Sequence, residues 1–220
     1  MSTSDPESPI FAAEALPRGR HNLSRERVLA SQRSRLLRAM GELVGRQGYE
    51  ATTVPDVVAE ARVSSNAFYE LFNDKADCFI ALCDQLATEI LDEMASVDDS
   101  HGWQAALKEG MYAYLLRWQD RAEFTRAYFV ELPAAGLRAL EQRDRQINRF
   151  FRLFRAVAHR AREEDPSLPP LDPYAVELAV LGVTELIAHE VRHGRLGRLV
   201  EIEEACLRFV TLMLGPPAHD

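Results

Sequence analysis

Two stretches of this 220-residue sequence combine residue types and spacings that could do chemistry: His189-Glu190-Val191-Arg192-His193 and Ser64-Ser65-Asn66-Ala67-Phe68-Tyr69. In the first, a helix would set two imidazoles one turn apart on one face. That spacing binds zinc in peptidases, with the glutamate as base. A catalytic zinc keeps three protein ligands. No third histidine or cysteine follows at a peptidase spacing, and Glu203 or Glu204 could complete a set only through the fold. Gly194 closes the helix, and histidines at such an end also serve the negative pole of its dipole. The expectation is no metal and no cofactor, with zinc on His189 and His193 as the alternative. No phosphate-cradling glycine loop, nucleophile elbow or triad is present, so the chain is not expected to be an enzyme.

The second stretch reads as a short helix with one polar and one apolar side. Ser64 is placed to cap it, and Phe68, Leu71 and Phe72 point one way at helical spacing. With Phe68 inward, Asn66 and Glu70 fall on the far side, flanked by Ala67 and Tyr69. Serine, asparagine and tyrosine can donate to phosphates or base edges, and asparagine can pair bidentately with adenine. Glu70 suits such a surface only if it accepts from a cytosine amino group or pairs with an arginine.

Three further helices must position this one. Ser24 is a plausible cap for the first, whose apolar residues Leu36, Leu37, Met40, Leu43 and Val44 recur until Gly45 and Gly48 end the run. Thr53 caps the second, Pro55 fits its first turn, and Val54, Val57, Val58 and Ala61 form one buried face. Asn73-Asp74-Lys75 then opens a long fourth helix. Two short helices across a three-residue turn, braced by longer ones, make a helix-turn-helix whose second helix can enter a major groove. Charge agrees with that use. Residues 18–46 carry eight arginines against two glutamates, +6, within a chain of net charge −8, so the rest carries −14. A basic stretch beside an acidic body suits a polyanion partner.

At this point residues 48–79, GYEATTVPDVVAEARVSSNAFYELFNDKADCF, resemble the N-terminal domain of the tetracycline-repressor (TetR) family of transcriptional regulators. The likeness runs through Gly48-Tyr49, Thr52-Thr53, Val63-Ser64, Phe68-Tyr69, Phe72 and Lys75. It implies that Thr53, Tyr69 and Lys75 hold phosphates while Ser64, Ser65, Asn66 and Ala67 lie on or beside base edges of a double-stranded DNA operator. Arg62 stands where the family usually has glycine, and Leu71 where it often has histidine. A left-handed turn residue other than glycine costs about 1 kcal/mol.

The expected architecture is all-α. Residues 1–23 form a flexible extension, in which Arg18, Arg20 and His21 could reach an adjacent groove. Residues 24–84 form a three-helix DNA-binding domain, joined by a long helix to a ligand-binding and dimerisation domain over 85–220. That larger domain should hold helices near 102–118, 121–131, 134–163, 173–193 and 199–214. Its aromatic residues suggest a pocket for a small hydrophobic or aromatic effector, with Trp103, Tyr112, Phe124, Tyr128 and Phe151 as lining. The last two helices are apolar nearly all round, so a homodimer interface is expected through Val176, Val180, Val183, Ile187, Phe209 and Met213. No apolar run reaches membrane-spanning length. The unclustered Cys78, Cys83 and Cys206 fit a reducing cytoplasm. The sequence therefore reads as a dimeric, ligand-responsive DNA-binding regulator, acting as a repressor. The alternatives are a zinc-dependent hydrolase and a helical small-molecule carrier without DNA binding.

Overall fold

The computed structural model of the chain describes residues 24–97 and 100–214. The extension expected over 1–23, with Arg18, Arg20 and His21, lies outside the described residues. Among these, every regular element is helical, and no helix is long and apolar enough to cross a membrane.

Helix α1 spans Arg25–Gln47 and begins where the Ser24 hydroxyl accepts the Arg27 N–H at 3.3 Å. It runs straight through Gly45 and stops at Gly48, whose φ of +87° is open to glycine alone at low cost. Helix α2, Val54–Ala61, starts in a capping box. Thr53 Oγ1 accepts the Asp56 N–H, and Asp56 Oδ2 takes the Thr53 N–H at 2.9 Å. It ends at Arg62, φ 54° and ψ 47°, the left-handed geometry anticipated from the missing glycine. Arg35 on α1 compensates by donating to the Ala61 and Arg62 carbonyls at 3.2 and 3.3 Å. Arg62→Gly is expected to raise stability by about 0.5–1 kcal/mol, the left-handed strain relieved less the entropy that glycine adds to the unfolded chain. Thermal melting about 1–4 °C higher checks it. An unchanged or lower midpoint would show that Arg35 already removes the strain.

Helix α3, Ser65–Leu71, follows, with Ser64 Oγ accepting the Ala67 N–H at 3.2 Å. Phe68 and Phe72 are buried where α3 meets α1 and α2, and they pack on each other at 5.6 Å. Helix α4, Lys75–Ala95, leads into the body. There follow α5 (Trp103–Gln119) and the short α6 (Ala122–Arg126), which continues through one wide turn (Ala127–Glu131) and one tight turn (Leu132–Ala135). Then come α7 (Leu137–Glu164), α8 (Ala175–Arg192), a tight turn (Leu196–Ile202) and α9 (Glu203–Leu214).

The joint between the helix-turn-helix and the body is made by glycines. A Cβ at Gly45 would sit 2.3 Å from the Glu123 carbonyl oxygen, and one at Gly41 would sit 2.4 Å from Phe124 Cε1. Helix α6 therefore lies in a groove that α1 offers only because two positions, one turn apart, lack side chains. Glu131 closes the joint by accepting the Tyr49 N–H at 3.0 Å.

The expected dimer face requires correction. Val176, Val180, Val183 and Ile187 are all buried within one subunit, because α8 packs that side on α7, α9 and the turn after α6. Met213 is half-buried, and Phe209 stays partly exposed while packing over Gly182. What remains uncovered on this pair of helices is a different stripe: Leu178, Leu181 and Gly182 on α8, with Phe209 and Leu212 on α9.

Candidate nucleic-acid interface and effector cavity

Helix α3 presents Ser65, Asn66, Tyr69 and Glu70 outward while Phe68 holds it to the core. Tyr69 is 59% exposed, and its ring is steadied edge-on against Phe68 at 5.3 Å. Ser64 is exposed at the cap. Ala67 belongs elsewhere: at 8% exposure its methyl is packed inward, so it offers no surface to a base edge. Glu70 is held by Arg25 of α1, which supplies the arginine its position demanded.

The two other residues assigned to phosphates have structural work within the chain. The Thr53 hydroxyl donates to Asp56 Oδ2 at 2.6 Å inside the capping box. The Lys75 ammonium donates to the Tyr49 and Thr52 carbonyls, both at 2.8 Å, and stands 4.0 Å over the Tyr49 ring. Lys75 thus ties the α1–α2 turn to the start of α4 and keeps one of its three N–H donors for an outside partner. The basic stretch is likewise partly committed. Arg33 donates to Gln85 at 2.8 Å, Arg35 to the end of α2, and Arg46 pairs with Glu60 at 3.8 Å. The sequence shows the charge but not this inward use of it.

In the body, a cavity of about 230 Å³ opens between the end of α4, α5 and the second half of α7. Met94, Val97, Trp103, Leu107, Met111 and Phe154 make its walls apolar. Of the five residues expected to line a pocket, Trp103 alone does so. Tyr112 is 44% exposed on the surface of α5. Phe124 is spent in the α1 groove. Tyr128 is buried, its hydroxyl donating to Gln146 at 3.1 Å, and burial pushes its phenol up. Phe151 is half-buried against the core beside the cavity. The missed signal is spacing: Ala106 and Gly110, small residues one turn apart on α5, leave the space that Leu153, Ala156 and Val157 bound from α7. A void of about 20 Å³, room for a single water, lies deeper and shares Met94, Met111 and Phe154. It adds Tyr114 and Thr184, and burial pushes the Tyr114 phenol up to about 12, so it stays a neutral donor.

At the mouth, Glu164 accepts the Trp103 N–H at 2.9 Å, capping α5 from α7, and pairs with Arg160 at 2.8 Å. Both contacts hold its carboxyl below the usual carboxylate range.

His189 and His193 stack at 4.0 Å on the exposed end of α8. Glu190, the base of any peptidase reading, is instead gripped by Arg195 through two bonds of 2.6 and 2.8 Å, which lowers its pKa. Among the described residues no three His, Cys, Asp or Glu side chains gather as a metal site would need. Cys78, Cys83 and Cys206 are buried, and burial raises all three thiols, Cys206 to about 11.

No curated protein matches the sequence. Solved structures do match the fold. The regulator FadR from Bacillus subtilis, in complex with stearoyl-CoA, superposes with a TM-score of 0.70 at 16% identity, over 84% of this chain and 98% of that one. The fatty acid degradation regulator FadR from Bacillus halodurans gives 0.73 at 16% identity, over 86% and 97%. TylP, a TetR regulator from Streptomyces fradiae, gives 0.66 at 18% identity, over 88% and 90%. Residues 36–82 match the family model of bacterial regulatory proteins, tetR family. The capped α2, the left-handed turn at Arg62 and all of α3 fall inside that matched stretch, so the helix-turn-helix domain of this chain is of the kind that the tetR family model describes.

Proposed function

We propose that the protein is a homodimeric repressor that leaves its operator when a small, largely apolar effector enters the α4–α5–α7 cavity. The observation that carries the reading is the division of α3: one side is sealed into the core by Phe68, and the other offers Ser65, Asn66 and Tyr69 with the Glu70 charge neutralised by Arg25. Thr53, Tyr69 and the remaining Lys75 N–H are the proposed phosphate contacts, and Ser64, Ser65 and Asn66 lie on or beside the base edges. The liganded FadR structure from Bacillus subtilis lends support to an apolar effector.

The route between cavity and DNA is short. Helix α5 lines the cavity and passes directly into α6, which sits in the α1 groove. A ligand that favours a displaced α5 would shift the population toward states in which α1, and the turn tied to it by Lys75, is moved.

Selection from a random DNA pool, followed by titration of the selected duplex, tests the reading. Affinity should fall steeply and log-linearly with salt. Tyr69→Phe should weaken binding about 10-fold on every sequence, as loss of a charge-assisted hydrogen bond does. Asn66→Ala should cost about 1–3 kcal/mol and relax preference at one position only. A salt-independent interaction, or no selected sequence, leaves a helical ligand carrier as the better description.

A further inference from the structure

The small void behind the effector cavity ends in polar side chains that the proposed function leaves unused. Tyr114 and Thr184 line it. The Thr184 hydroxyl is committed, donating to the Val180 carbonyl at 2.7 Å. The Tyr114 hydroxyl lies beside Thr184 and beside the indole of Trp118, one turn further along α5, and the Tyr114 and Trp118 rings meet edge-on at 6.3 Å. Trp118 is 2% exposed, and its N–H closes no hydrogen bond of ordinary geometry, toward Tyr114 or any other group. A second donor nearby is left the same way. Gln146, 1% exposed and one turn before the void-lining Phe150 on α7, accepts from the Tyr128 hydroxyl through Oε1 and keeps a buried Nε2 without a partner. Burying an N–H that nothing answers costs as much as losing a hydrogen bond. Indole and amide N–H groups only donate, so what this end of the body lacks is an acceptor.

Charge and size say which acceptor. Arg160 is the one charged residue among those lining the cavity and the void, and it stands at the mouth, paired with Glu164. The Arg143 charge bears on Tyr114 less than burial or either polar neighbour does. A carboxylate or phosphate driven to the deep end would shed its water against no fixed cation. An uncharged carbonyl oxygen brings two lone pairs without that cost. At roughly 30 Å³ for a group the size of a water or methylene, the cavity of about 230 Å³ holds about eight such groups. The void of about 20 Å³ admits one oxygen more. Met94, Met111 and Phe154 wall both spaces, and the unbranched methionines can turn to join them. We infer that the cavity selects uncharged compounds of about nine non-hydrogen atoms that lead with a carbonyl oxygen, which fills the void and accepts from the Trp118 N–H and the Tyr114 O–H.

The inference rests on the effector cavity of the proposed function, and binding measured without DNA separates the two. Acetophenone, α-methylstyrene and benzoate share one skeleton and differ in carrying a ketone oxygen, a methylene in its place, or a carboxylate. Each is titrated into the full chain by calorimetry, with the indole N–H resonances followed by NMR. Acetophenone should bind about 10-fold more tightly than either of the others, and it alone should shift the Trp118 N–H signal. Tyr114→Phe should bring acetophenone down to the level of α-methylstyrene, whose own affinity stays within about 2-fold. Gly110→Leu, which narrows the cavity, should weaken both. Where Tyr114→Phe does not fold, the three compounds on the parent chain still decide. Equal affinity for acetophenone and α-methylstyrene, preference for benzoate, an unmoved Trp118 signal, or no binding at millimolar acetophenone overturns the inference. So does a preference that survives Tyr114→Phe or Gly110→Leu. If acetophenone is preferred as described while the operator complex outlasts every cavity ligand, the inference stands and the proposed regulation fails. If α-methylstyrene binds and releases the operator as well as acetophenone does, the regulation stands and the inference is overturned.

Discussion

Gly45→Val is expected to lower the melting temperature by about 6–12 °C. The added Cβ alone would meet the Glu123 carbonyl oxygen at 2.3 Å and its Cα at 2.5 Å. These are backbone atoms, so no rotamer change relieves the contact, and α6 must retreat by about 1 Å to restore normal separation. Overpacking of this kind costs about 1–3 kcal/mol and sometimes more, and valine's two methyls place it at the upper end. At roughly 2–4 °C per kcal/mol for a chain of this size, the shift is well outside measurement error. Gly197→Val is the control, because a Cβ there meets nothing within 4 Å. Circular dichroism melts of the two variants decide the matter. An unshifted Gly45→Val midpoint would mean that α6 yields freely and transmits nothing.

The same joint is where sequence and structure part. The helix-turn-helix is legible because its signals are local. Ser24, Thr53, Ser64 and Asp74 each accept an N–H from the first turn of the helix they precede. Arg62, standing in place of the usual glycine, is the one non-glycine residue with positive φ among those described. Gly45 reads as a stop but is none, since from the sequence a glycine inside a helix looks the same whether it ends the helix or admits another chain. Only α6, eighty residues away, distinguishes them. The cavity escapes for a related reason. Aromatic residues look like its lining, yet their large apolar faces are what a core consumes first, as Phe124 and Tyr128 show. Space is made by the small residues, Ala106 and Gly110, which carry no signal of their own. Lys75 is visible in the sequence as a cation at the right place, but its two bonds to backbone carbonyls depend on a turn whose shape no spacing reveals.

The proposed dimer interface yields the second large effect, and moving it to the exposed stripe makes the test sharper. An apolar residue buried within the subunit reports on folding when it is changed, so Val183 or Ile187 could never test dimerisation cleanly. Leu212 can, because it is 63% exposed in the isolated subunit. Leu212→Glu should therefore leave the subunit's own stability within about 0.5 kcal/mol. Across the proposed twofold axis the same leucine would be buried in both copies, each worth about 1.5–3 kcal/mol. The variant removes both and leaves two carboxylates to be desolvated or exposed. Sedimentation should find a dimer for the parent chain and a folded monomer for the variant. Operator affinity should then fall by about 10²–10⁴, because two recognition helices held together gain that factor from their linkage alone. Leu178→Glu, on the facing helix of the same stripe, should do likewise. A Leu212→Glu chain that stays dimeric and bound would place the interface elsewhere and leave the α8–α9 stripe without a role in spacing α3 and its twofold copy on DNA.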